Sequence, residues 1–197
     1  MAQVDAVNTP STPEAVGGEL VNAYKNVVGR DPPNRSSWVI PLAQAAVETA
    51  AFGGGLWNNN IGNITTANPN SEDWMLLPGN TLKFRSFSNL SDGATAMMSW
   101  LNSHGCIPFA DSGDIAGYVG ALQKACYVGC DASVYPGYQT GIQNYVGKYG
   151  GIQPTHFFNL TWQTWAVVAG ILLGGGCVAY YIAELPPGRR FAALKGL

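Results

Sequence analysis

The 197-residue chain has room for one domain of ordinary size and something small, and only 11% of its residues are charged, where about a quarter is usual. Its net charge of −2 divides unevenly: residues 1–160 hold 7 basic and 11 acidic side chains, and the remainder holds Arg189, Arg190 and Lys195 against Glu184. An acidic main body excludes a nucleic-acid binder that works by counter-charge, and the scarcity of charge implies a sheltered domain or an apolar segment that dilutes the average.

Residues 1–11 have neither the basic start nor the apolar run of a secretory leader and read as a flexible arm. A helix is expected next in "STPEAVGGELVNAYKNVVG": Thr12 suits the cap, Pro13 the first turn, and Val16, Leu20, Ala23 and Val27 recur at helical spacing before Gly29. "RDPPNR" is a loop. A second helix is expected from Pro41, with Ala43, Ala46, Val47 and Ala50 on one stripe, ended by "FGGG".

Residues 57–79 are rich in Asn, Gly, Pro, Ser and Thr and suit turns and short strands, and "TLKFRSF" alternates as a strand does. Helices return in "NLSDGATAMMSWLNSHG", capped near Ser91 and stopped by Gly105, in "SGDIAGYVGALQKAC", and over residues 138–149. There is no internal repeat. The order predicts an α+β domain, mostly helical, with a small β lobe inserted.

Beyond it, "WAVVAGILLGGGCVAYYIA" runs from Trp165 to Ala183 without a charge over 19 positions, long enough for a bilayer core. Trp162 and Trp165 flank one end, Tyr180 and Tyr181 the other, as an aromatic belt would. One C-terminal transmembrane helix is expected over 162–183, followed by a short basic tail over 184–197. The lipid bilayer is therefore an expected partner. Gly174, Gly175 and Gly176 would permit close packing against another membrane helix. Cys177 falls in this span, leaving Cys106, Cys126 and Cys130. Cys126 can bridge to Cys130, Cys106 can pair with either, or all three can be buried thiols. No histidine lies near the C-x₃-C spacing, so no metal is expected.

Glu48 is the chemically conspicuous residue. On a helix its neighbours one turn away are Gln44, Ala45, Ala51 and Phe52, none of them basic. Enclosure of that face would raise its pKa, and a protonated carboxyl at a cleft edge is what general-acid cleavage of a glycosidic bond requires. A solvated Glu on an amphipathic helix would look the same by periodicity alone.

"AQAAVETAAFG" followed by "NNNIGNI" resembles peptidoglycan-cleaving enzymes of lysozyme-like fold, in particular the bacterial glucosaminidase family related to flagellar-rod hydrolases. There a helix of the form Ala-Gln-Ala-x-x-Glu-[Ser/Thr] carries the catalytic acid and an Asn-Asn-x-x-Gly-Ile block opens the β lobe. Phage relatives often read Asn-Asn-Asn-Pro-Gly-Asn-Ile, where this chain has Ile61 in place of the proline. "FRSFSNLSDGATAMMSWL" and "ALQKACYVGCDASVYPGYQTGIQNYVGKY" are similar to the stretches that follow, and the likeness covers residues 36–149. The chain departs where the family has Gly-Trp-Gly or Gly-Trp-Ser directly after the acid; here Trp57 comes only after Ala50–Leu56.

The resemblance implies a lysozyme-like domain over 12–158 that cleaves the β-1,4 backbone of peptidoglycan strands by hydrolysis or lytic transglycosylation. Glu48 would be the acid and base, Tyr138 a second catalytic residue that stabilises the positive charge developing on the sugar, and Tyr127 the family's earlier Tyr, facing substrate. Asn58, Asn59, Asn60 and Asn63 offer amides to N-acetyl and hydroxyl groups, and Trp57 and Trp74 offer flat faces to sugar rings. Glu72 and Asp73 are the possible second acid. No cofactor is implied. The phage-like Asn block and the terminal anchor together suggest a virion membrane enzyme that aids genome entry, held in the host membrane during assembly, with other virion membrane or capsid proteins as partners. Its basic tail would lie beside packaged DNA without specific nucleic-acid recognition. An inactive structural virion membrane protein of the same fold is the alternative.

Overall fold

A computed structural model describes residues 2–66 and 72–153. Residues 1–155 form one compact unit, mostly helical with a small two-stranded sheet, an α+β plan. Among the described residues no helix is long and apolar enough to cross a membrane; the expected span over 162–183 and the tail over 184–197 lie outside them.

The first helix, α1 (Pro13–Val28), follows its local signals. Thr12 accepts from the Ala15 amide at 3.2 Å, Pro13 occupies the first turn, and Gly29 ends the helix at φ 78°. The second, α2 (Ser36–Glu48), begins five residues before Pro41. The Asn34 side chain accepts from the Ser37 amide at 3.3 Å and from the Ser36 hydroxyl at 2.5 Å, securing the first turn. Interior proline costs about 3 kcal/mol. Burial of Trp38, Val39 and Ile40 in that early stretch, at roughly 1.5–3 kcal/mol each, outweighs it. Helix α2 is buried along almost its whole length and packs against α1 and two later helices.

"FGGG" does not end α2. The Thr49 hydroxyl donates to the Ala45 carbonyl at 2.7 Å and accepts from the Phe52 amide at 3.1 Å, while Ala50, Ala51 and Phe52 all take positive φ. Left-handed backbone costs such residues about 1–2 kcal/mol each. The fully buried Phe52 ring, stacked on Tyr149 at 6.2 Å, helps to offset it. Gly55 is obligatory here, because a β-carbon would come within 2.8 Å of the Thr49 backbone. Glu48 is thereby the last residue of α2.

Two short strands, β1 (Trp74–Leu76) and β2 (Lys83–Arg85), pair antiparallel with Met75 opposite Phe84, both buried. Residues 2–11, expected as a flexible arm, instead form a strap hydrogen-bonded to the body. The Val4 amide donates to Trp74 O, Thr9 to Leu56 O and Ser11 to Phe52 O, and Val7 O accepts from Asn58, all at 2.8–3.0 Å. These pairings are remote in sequence, so local composition did not announce them.

Helix α3 (Leu90–Ser103) starts at an Asn89 cap rather than near Ser91. Asn89 Oδ1 accepts from the Asp92 amide at 2.9 Å, and Asp92 Oδ2 accepts from the Asn89 amide group at 2.9 Å and the Ser88 hydroxyl at 2.7 Å. A short helix, α4 (Ile107–Ser112), was not expected. Asp114 caps α5 (Ile115–Lys124). Then α6 (Tyr135–Tyr149) begins three residues earlier than expected, with Pro136 in its first turn. Asp111 joins α4 to α1 by accepting from Tyr24 at 2.9 Å and pairing with Arg30 at 2.5 Å. Cys126 and Cys130 form a disulfide and Cys106 is a buried thiol, which resolves the cysteine alternatives.

Candidate active site

Three elements converge on Glu48. The end of α2 supplies the carboxylate, and the Asn-rich loop and α6 hold it. Tyr138 donates its hydroxyl to Glu48 Oε1 at 2.5 Å. The Asn63 amide donates to Glu48 Oε2 at 3.2 Å and to the Glu48 carbonyl at 2.7 Å. No salt bridge among the described residues involves Glu48. Burial is the main influence on its acidity and raises the pKa above the usual carboxylate value, while the bonds from Tyr138 and Asn63 pull it down. The Tyr138 phenol is itself pushed well above its ordinary value, by burial first and by Glu48 next. It therefore stays protonated near neutral pH.

Asn63 reaches Glu48 because the loop around it is held rigidly. Asn60 is fully buried; its amide donates to Ile64 O and Arg85 O, both at 2.9 Å, and its oxygen accepts from the Ile64 amide at 2.8 Å. Asn58 and Asn59 take positive φ, which Asn tolerates better than most residues. The Asn58 side chain accepts from the Val7 amide at 2.5 Å and donates to Asp5 O and Ser86 Oγ, and Asn59 donates to Phe87 O at 3.1 Å. A β-carbon at Gly93 would lie 1.9 Å from Asn59 O, so α3 approaches this loop through a glycine.

The side chains of the four asparagines expected to face sugar all make hydrogen bonds within the protein. Asn58, Asn59 and Asn60 direct their amides to the loop, the strap and the residues beside β2, and Asn63 grips the acid. Trp57 is half-buried and its backbone bridges Asn8; Lys83 lies 4.5 Å from the Trp74 ring centre. Tyr127 donates its hydroxyl to the Gly62 carbonyl, immediately before Asn63. Glu72 pairs with Arg85 at 3.0 Å, and Asp73 accepts from the Ala2 amide at 2.9 Å. Neither shares a hydrogen bond with Glu48, Tyr138 or Asn63.

Two cavities adjoin the site. One of about 160 Å³ is lined by Asn63, Thr65, Trp100, Cys126 and Tyr127 among others. A larger one of about 790 Å³ is lined by Asp73, Phe87, Asp92 and Trp100, with a rim of serines. Ile64 and Trp100 line both, so the two are neighbours, and Asn63 links the smaller one to Glu48. Glu48 itself lines neither. Trp100, whose ring meets Tyr127 edge-on at 4.7 Å, had no sequence signal beyond its place on a helix. Gln44, one turn before Glu48, is fully buried and accepts a hydrogen bond from Tyr118. Compared with protein-family models, curated proteins and solved structures, the chain matches none.

Proposed function

We propose that the chain cleaves the β-1,4 glycan backbone of peptidoglycan, with Glu48 as general acid and then general base. The observation that carries this reading is a half-buried carboxyl of raised pKa, held from two sides by Tyr138 and Asn63 without a cation. When the acid is neutral, the short bond from Tyr138 makes Oε1 the carbonyl-type oxygen and leaves the proton on Oε2. That proton passes to the glycosidic oxygen as the bond breaks. The two bonds that pull the pKa down then stabilise the carboxylate, which takes a proton from water or from the muramyl 6-hydroxyl. Engagement of Glu72 by Arg85 and of Asp73 by Ala2 favours chemistry with one acid, completed by the substrate's own N-acetyl or hydroxyl group. The enzyme would be membrane-anchored through residues 162–183, in a phage virion membrane and beforehand in the host membrane.

The test is clearing of purified peptidoglycan by the full-length chain in mild detergent. Glu48→Gln is expected to fold and to lose at least roughly two orders of magnitude in rate, the scale of a lost general acid, while Glu72→Gln and Asp73→Asn stay mild. Clearing at the wild-type rate by Glu48→Gln would remove the assignment. No clearing by the wild type would favour the inactive structural membrane protein.

A further inference from the structure

We infer that the disulfide-closed loop Cys126–Cys130 positions Glu48, so that reduction of this disulfide switches the site down without unfolding the domain. The inference rests on the proposed role of Glu48 and concerns regulation of that site.

The loop reaches both groups that hold the carboxyl. On one side Tyr127, inside the loop, donates its hydroxyl to the carbonyl of Gly62, and the next residue is Asn63, which grips Glu48. On the other side the Gly129 carbonyl, also inside the loop, accepts from the Tyr135 hydroxyl at 2.8 Å. Tyr135 opens α6 and meets the Tyr138 ring edge-on at 6.5 Å, and Tyr138 donates to Glu48. A single short loop therefore steadies both arms of the acid's cradle.

The disulfide closes a loop that continues directly from the end of α5. Cys126 follows the C-cap of α5 at a positive φ of 52°, the left-handed turn of a helix ending, and its amide donates to Gln123 O at 2.9 Å. The Gly129 amide closes a turn onto Cys126 O at 3.0 Å, and the Tyr127 amide donates to Leu122 O at 3.1 Å. Cys126 and Cys130 are both exposed, and Cys126 lines the 160 Å³ cavity, so a reductant can approach. The bridge spans a sequence separation of only 4. It therefore restrains little chain entropy compared with a bridge across a long loop, and its loss leaves the helical core intact.

The chemistry balances with a dithiol reductant. One of its thiolates attacks a cysteine sulfur to give a mixed disulfide, and its second thiolate displaces the cysteine and closes an intramolecular disulfide. Two electrons pass to the protein, and two protons complete the Cys126 and Cys130 thiols. Freed from the bridge, the segment after Cys126 loosens, Tyr127 leaves Gly62, and Tyr135 loses Gly129.

The test uses the full-length chain in mild detergent, with dithiothreitol as the reductant and peptidoglycan clearing, far-ultraviolet circular dichroism and the ¹³C titration of the Glu48 carboxyl as readouts. Reduction, verified by two newly free thiols, is expected to lower the clearing rate at least about tenfold, the scale of a small misplacement, with the dichroism unchanged and the rate restored on reoxidation. The Cys126→Ser/Cys130→Ser double variant is expected to start at the lowered rate and to ignore the reductant. Because the bonds from Tyr138 and Asn63 hold the Glu48 pKa down against burial, loosening those two arms should move its titration to higher pH, which loss of structure elsewhere would not do selectively. A reduced chain that keeps its full rate and an unmoved Glu48 titration overturns the inference, as does a rate loss accompanied by loss of helix. If the wild type clears nothing yet the Glu48 titration moves on reduction, the positioning role stands and the glycan reading fails.

Discussion

At the scale of residues, Glu48 is subject to opposed influences, and their order fixes a measurable sign. Burial raises its pKa and the bonds from Tyr138 and Asn63 lower it, with burial the larger. The folded chain therefore holds this proton more tightly than the unfolded chain. Below the ordinary carboxylate range both states are protonated and Glu48 costs nothing. As pH rises through the folded pKa, the ionised form penalises folding, and stability falls. Glu48→Gln, which cannot ionise, escapes that penalty and can still accept from Tyr138. Thermal melts at pH 4 and pH 7.5 are expected to show the variant gaining on the wild type at the higher pH. A melting-temperature difference that does not grow with pH would refute the assigned sign.

Element by element, the chain is legible where the signals are local. Thr12, Pro13 and Gly29 delimit α1 because capping and left-handed termination need only near neighbours. Pro41 misleads, because the burial of Trp38, Val39 and Ile40 is a tertiary effect that overrides the proline. The strap of residues 2–11 looked like a free arm because its partners at Leu56, Asn58 and Trp74 lie far along the chain. The Asn block was conspicuous, but composition could not separate Asn63, which touches the acid, from Asn60, which holds the loop. That division is testable. Asn60→Ala leaves the buried Ile64 amide without its acceptor and the Arg85 carbonyl without its donor, while Ile64 O keeps the Arg85 amide, so chemical denaturation should show a loss of about 1–3 kcal/mol. Unchanged stability would mean that this asparagine is not the loop's fastening.

Over the whole molecule, the low charge content and the acidic main body fit an α+β unit spanning residues 1–155. The uncharged run from Trp165 to Ala183 motivates the proposed anchor. The full chain expressed in bacteria should sediment with membranes and resist alkaline carbonate, coming off only in detergent; release by carbonate would contradict a spanning segment. The central claim is that Glu48 cuts glycan. Mass spectrometry of the fragments released from purified peptidoglycan tests it most directly. The wild-type chain is expected to generate new glycan ends, either reducing sugars or anhydro-muramyl residues, and Glu48→Gln to generate almost none. Release of peptides from intact glycan, or the same new ends from Glu48→Gln, would contradict the account.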